Sequence, residues 1–382
     1  MKLKRVVLGL AVIGLMAGMT SCKDTTEEEN NETKAAVIDQ YLNGTVAPTY
    51  TALANKTQEL VEALQTLQNS RTNANVSAAC DVFLDAREQW EKSEAFLFGA
   101  ASDFGIDPHI DSWPLDEDGF NTMMSNTQQM QALAGEEGDV YAGEYLGNAL
   151  LGFHGIEYIL FSNGQPKDAS EISDLHMTYA VAVAGDLRNR CFQLEVSWLG
   201  DDAAPSHVAR VEELELNCTV NGSDNSYGDN MRKAGEAGST YSTKTQALLA
   251  IVDGCRTIAD EVGTSKIGKP HNGEDPTYIE SPYSQKSILD FYNNIISIQN
   301  AYMGGISTSR DESKSLHNYV KTLDADLDAR VIAAINNALT AIQNMKAPFV
   351  NNFTDASAGV ASEACQAVDE ILAEVATKLR TK

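Results

Sequence analysis

Proline is scarce in this chain, nine residues in 382, and a sustained alternation of apolar with polar residues is hard to find anywhere along it. The first lack leaves long stretches free to be helical, and the second argues against half-buried sheet. Basic residues are also few, 28 Lys and Arg against 54 Asp and Glu, for a net charge of -26. That balance argues against nucleic acid as a partner, because phosphate backbones are held by clustered Lys and Arg. Cationic ligands and metal ions fit it better, although acidity also keeps exported proteins soluble. No two cysteines are spaced CxxC, which removes a zinc ribbon, and the odd set Cys80, Cys191, Cys218, Cys255 and Cys365 leaves any pairing undetermined. HExxH, GxSxG and GxxxxGK[ST] are absent too, so a zincin, a nucleophile elbow and a phosphate loop have no support.

What is present is helical periodicity. The spacing of apolar residues predicts helices over Val37–Gln68, Val76–Phe98, Asp139–Phe161, Ile172–Leu194, Tyr241–Val262, Ser284–Met303, Ser315–Met345 and Ala361–Leu379. This is an all-α chain of two helical-bundle-like domains, residues 36–200 and 228–382, with a ligand cleft between them. The polar stretch 201–227 reads as the junction. Asp107-Pro108-His109 in one half and Lys269-Pro270-His271 in the other hint at an internal duplication.

The beginning of the chain reads as an export signal. Residues 1–21 carry Lys2, Lys4 and Arg5, then an apolar run, then Thr20-Ser21 before Cys22. The run is too short for a stable membrane span. The pattern resembles a lipobox with Cys22 as the lipidated first residue of the mature protein. Lys23-Asp24 and Glu27-Glu28-Glu29 follow, resembling the signals that carry lipoproteins to the cell surface, or forming a plain acidic tether. Within the tether, residues 22–35, the stretch 23–34 is expected to be a disordered linker.

The most informative stretch is Gly152-Phe153-His154-Gly155-Ile156-Glu157-Tyr158. If the helix runs unbroken from Asp139 to the stop at Asn163-Gly164, Leu146, Leu150, Phe153, Glu157 and Leu160 share one stripe, and Glu157 points where leucines point. A buried carboxylate pairs, binds a metal or takes a proton. His154 lies one turn earlier, on the flank of Gly143 and Gly147, where a backbone or ligand could come close. The plainer reading is a core histidine and a carboxylate bonded to a neighbouring Arg, Lys or backbone N–H. On another helix Phe83, Arg87, Trp90, Glu94 and Leu97 share a stripe. Arg87 then either pairs with Glu91 at the surface or joins Glu157 or Glu94 in a buried network. The loop around Ser112-Trp113-Pro114 could line a site. Ser281-Pro282 reads as N-cap and first residue of a helix. As zinc ligands His154 and Glu157 are two where three are needed, with His109 or His271 as the third.

Gly152-x-His154-x-x-Glu157-Tyr158, preceded by Arg87-x-x-Trp90, Glu94-Ala95-Phe96 and Ser112-Trp113-Pro114 and followed by Ser281-Pro282-Tyr283-Ser284 and Asp290-Phe291, resembles the imelysin-like family. The resemblance implies a two-domain helical fold, a site around the GxHxxE helix at the domain interface, and export to the envelope. It also implies a divided function, since the family was named for a peptidase while other members are tied to iron regulation and uptake. Two functions are therefore in view. One is an outer-membrane lipoprotein, anchored through Cys22, that binds an iron-related or other small ligand with an envelope transport partner, using His154, Glu157, Tyr158, Arg87, Glu94, Trp113 and Ser281. The other is a metallopeptidase with zinc on His154 and Glu157, so that iron or zinc is the cofactor in view. A third, structural reading has the polar cluster only fixing helix register.

Overall fold

The computed structural model of the protein describes residues 22–381. The leader assigned to residues 1–21 lies outside them. The described chain is all-α apart from one hairpin, Phe161–Ser162 against Gln165–Pro166, with Phe161 opposite Pro166. Its turn is Asn163-Gly164, with φ of 50° and 76°. The expected helix stop is thus a two-residue hairpin turn, for which Asn-Gly is suited because both residues tolerate positive φ.

In the N-terminal half, the helices Ala47–Asn69, Asn73–Glu91 and Asp174–Leu199 pack together. Each has a readable cause. Leu53, Leu60, Leu64 and Leu67 make the inward stripe of the first; Thr72 caps the second by accepting from Asn75 N–H; Ser173 and His176 form a reciprocal cap on the third. In the C-terminal half Lys244–Asp260, Ser287–Met303, Ala325–Gln343 and Ala356–Arg380 pack likewise. Thr243, Asp324 and Asp355 cap three of these. One continuous apolar core runs through both halves. They meet where Asn73–Glu91 and the 3₁₀ turn Glu94–Phe96 lie against Lys244–Asp260 and Ser287–Met303.

Several expectations need correction. The tether is helical: Cys22–Tyr41 is one helix that continues through a π-helical turn, Leu42–Val46, into Ala47–Asn69. It is held to the C-terminal half, because Tyr319 Oη donates to Asn30 Oδ1 (2.8 Å) and Lys34 Nζ donates to Thr245 Oγ1 (2.8 Å). The stretch 201–227 is more than a junction. Its helix Pro205–Glu213 sets Val211, with Ala203 just before it, over Ala54, Phe192 and Val196 in a small second core. The expected helix Ser315–Met345 is interrupted at Asp324, whose side chain caps Ala325–Gln343. The five cysteines from Cys80 to Cys365 are unpaired.

Candidate functional site

The helix expected to run unbroken from Asp139 to Phe161 is two helices, Gly138–Tyr145 and Gly152–Leu160, separated by a 3₁₀ turn at Asn148–Leu150. The flank of Gly143 and Gly147 beside His154 therefore does not exist. A Cβ at Gly143 would meet Asp186 Oδ1 at 2.2 Å, and one at Gly147 would face open space. The glycine that shapes the site is Gly152, with φ of 67°; a Cβ there would lie 1.8 Å from the carbonyl oxygen of Ile110. Only glycine lets the Ile110–Asp111 backbone rest on the start of the helix, and that contact delivers Asp111 to His154. Gly155 plays a similar part for Tyr179, whose hydroxyl would be 2.1 Å from a Cβ and donates to Leu150 O (2.9 Å).

Around His154 the two halves bring together six buried carboxylates, Glu91, Glu94, Asp111, Glu157, Glu280 and Asp290, with the buried bases Arg87 and Lys266. His154 Nδ1 faces Glu157 Oε2 at 3.2 Å, and Ser284 N–H donates to Glu157 Oε1 at 2.7 Å. His154 Nε2 lies 3.1 Å from Asp111 Oδ1. It nevertheless makes no aligned hydrogen bond, and neither does the buried Glu280 Oε2. Asp111 accepts from Arg87 Nη1 and from Trp90 Nε1, the latter at 2.7 Å. Arg87 Nη2 reaches Glu280 Oε1 at 2.6 Å and Glu91 Oε1 at 2.5 Å, over the ring of Phe153. Lys266 Nζ is 3.1 Å from Glu280 Oε1, 3.7 Å from Glu94 Oε1 and 4.0 Å from Glu91 Oε2.

The expected residues fall into three groups. His154, Glu157 and Arg87 are in the cluster, and Arg87 pairs with Glu91, Asp111 and Glu280 instead of Glu157 or Glu94. The i, i+4 pair with Glu91 exists, but in the interior. Glu94 is there as well, though not on the stripe: its helix ends at Glu91, and Glu94 lies on the following 3₁₀ turn. Ser281 is not an N-cap, since the helix begins at Ser287; it has φ of 49° and donates to Asp290 Oδ2 at 2.5 Å. Trp113 stands at the mouth, its ring 3.8 Å from that of Tyr278, beside a cavity of about 230 Å³ that reaches Asp107, Asp111 and Lys266. Tyr158 packs edge-on to Phe120 and Tyr283. His109 and His271 are elsewhere, on Asp186 and on the carbonyl of Phe353, so neither completes a ligand set with His154. Asp111 and Glu280 do: with His154 their ligand atoms lie within 4.8 Å of one another.

Lys266 is the member without a visible sequence signal. It lies on a π-helical stretch, Glu261–Ile267, where a reading at about 100° per residue assigns the wrong face. Asp111 and Glu280 sit in irregular segments that periodicity does not orient.

Burial opposes charge throughout, and neighbours decide which groups keep it. On His154 the contacts with Asp111 and Glu157 overcome burial and lift the imidazole to about 9. Burial would raise Asp111, but Arg87 and His154 hold it below the usual carboxylate range. Burial dominates at Glu91 and Glu94, which are pushed well up, and at Asp290, raised to about 7. The cluster thus retains protons that a cation could replace. A larger hollow, about 740 Å³, lies away from it between Asp139, Arg188, His207 and Arg210, but both arginines there bond Asp139.

An all-helical chain whose two halves close over an acidic cluster containing a GxHxxE histidine defines the class. The imelysin family model, peptidase M75, matches residues 46–375; the chain belongs to that family. It is 28% identical over 302 residues to iron-regulated protein A of Synechococcus elongatus, covering 79% of this chain and 72% of that one. The crystal structure of a proposed iron-regulated protein A precursor from Parabacteroides distasonis superposes with a TM-score of 0.77 at 28% identity, over 91% of this chain and 95% of that one. An imelysin-like protein from Psychrobacter arcticus shares the fold at 14% identity, with a TM-score of 0.60 over 89% and 93% of the chains.

Proposed function

We propose that the protein captures a metal ion, iron among those that suit it, in the buried seam between its halves, and does so as an envelope lipoprotein serving metal acquisition. The observation that carries this reading is the convergence of Asp111, His154 and Glu280, whose ligand atoms lie within 4.8 Å of one another, with the buried Glu280 Oε2 left without a hydrogen bond in an interior where carboxylates outnumber bases. The residues fit a metal. One imidazole and two carboxylates suit iron, manganese or zinc, and Asp111, His154 and Glu280 would hold it. Glu157 stands behind the ring on Nδ1, where a carboxylate orients a ligating histidine and raises its basicity. The iron-regulated names belong to the relatives and make iron the first metal to try. The acidic mouth beside Trp113 draws cations toward the site.

A zinc peptidase keeps a ligand position open to water and substrate, whereas His154 is 2% exposed, which favours binding over hydrolysis. Attachment would come through Cys22 and its lipid, with an envelope transport partner receiving the metal; among the described residues no helix is long and apolar enough to cross a membrane. The test is metal analysis of protein purified from its native envelope beside a His154→Ala, Glu280→Gln variant. Stoichiometric metal, lost in the folded variant, is expected; metal-free protein that also fails to take up Fe²⁺, Mn²⁺ or Zn²⁺ contradicts the reading.

A further inference from the structure

Two groups of ligand atoms in the cluster share Asp111. One is Asp111 with His154 and Glu280, the other Asp111 with Glu91 and Glu94, and within each the atoms lie no more than 4.8 Å apart. Two adjoining cation positions joined by a carboxylate are the arrangement of a two-metal centre, whose ions sit about 3.5–4 Å apart. At the first, Glu280 Oε2 is buried without a hydrogen-bond partner beside His154 Nε2; at the second, Glu91 Oε1 is held by Arg87 at 2.5 Å and its Oε2 by Asn294 Nδ2 at 2.5 Å. The difference between them is Lys266. Its ammonium stands 3.7 Å from Glu94 Oε1 and 4.0 Å from Glu91 Oε2, tied to Glu280 Oε1 at 3.1 Å. The side chain is buried and comes from the π-helical turn Glu261–Ile267.

We propose that Lys266 is a built-in counter-ion that fills the second of the two cation positions, so that the site takes one metal ion where its carboxylates alone would take two. This rests on the metal-binding reading above and adds the residue that sets its stoichiometry. An ammonium is a compact point charge with three donors, well matched to the facing oxygens of Glu91, Glu94 and Glu280. A second metal ion at that position would be placed against it in a medium where like charges repel strongly. Arg87 cannot do the same work, because its planar fork is already divided among Asp111, Glu91 and Glu280.

The experiment is titration of metal-free protein with Mn²⁺ alone, read by bound equivalents and by electron paramagnetic resonance. Wild type is expected to bind one equivalent with the spectrum of an isolated ion. Lys266→Met is expected to bind two, with the second within about tenfold of the first in affinity, following the tenfold-per-1.4 kcal/mol scale, and to show a spin-coupled pair. Lys266→Gln deletes the charge while keeping a donor to Glu280, and serves where the methionine variant does not fold. Two coupled ions in wild type, or a single ion in a folded Lys266 variant, overturns this inference and leaves the metal-binding reading standing. No Mn²⁺ bound by wild type or by either variant removes that reading and this inference with it.

Discussion

The carbonyl oxygen of Ile110 lies 1.8 Å from where a side chain at Gly152 would begin. Through this contact the first residue of the GxHxxE motif fixes the position of Asp111, on a different segment, against His154. Gly152→Ala combines that clash with a positive φ and is expected to cost more than about 2 kcal/mol. Denaturant unfolding measures the loss, and metal titration of the folded fraction is expected to show weaker binding as Asp111 is displaced.

His154 and Glu157 are expected to behave differently. His154→Ala removes a proposed ligand and should abolish Mn²⁺ binding. Glu157→Gln removes only the group behind the ring, which also accepts from Ser284 N–H, and should weaken binding about 10- to 100-fold. Isothermal titration of the two folded variants separates a ligand from a positioning residue; equal loss in both would place Glu157 in the ligand set itself.

Stability of the metal-free protein is expected to fall as pH rises from about 6 to 9. The folded state lifts His154 to about 9, above the unfolded value near 6.5. Its contribution is therefore fully present below pH 6.5 and lost as pH climbs through 9, at most roughly 3 kcal/mol. Asp290, raised to about 7, and Asp107, raised to about 6, act in the same sense, because the folded state holds their protons longer. Asp111, held low, acts oppositely, and its contribution disappears only below the usual carboxylate range. Urea titrations at pH 6 and pH 9 check this, and His154→Ala should flatten the difference.

The helix Pro205–Glu213 is expected to stabilise the N-terminal half without touching the proposed metal site. Val211→Ala opens the small core it shares with Ala54, Phe192 and Val196, at about 1–2 kcal/mol. Thermal unfolding should shift while Mn²⁺ stoichiometry does not.

Much of this was legible in the residues, and what was not has a physical reason in each case. The all-helical class follows from periodicity, and Arg87 announces itself as a charge among apolar neighbours, whereas His154 was placed on a glycine flank that the broken helix does not form. Glu157 was reached through a stripe drawn on a helix that breaks at Leu146–Leu151, so its burial was anticipated by geometry the chain does not have. Asp111 and Glu280 lie on irregular backbone and are brought in by tertiary contacts such as Gly152 on Ile110. Lys266 needed knowledge of a π-helical turn, and the helix over the acidic stretch is tied down through Lys34 and Asn30 by partners 211 and 289 residues away.

On the proposed function, Asp111, His154 and Glu280 together hold a metal ion. Crystals grown metal-free and soaked in Mn²⁺, with anomalous differences recorded, test it most directly. One strong peak is expected, bounded by Asp111, His154 and Glu280, with Glu157 behind the imidazole. No peak there, or the only strong peak in the hollow beside Arg188 and Arg210, would contradict it.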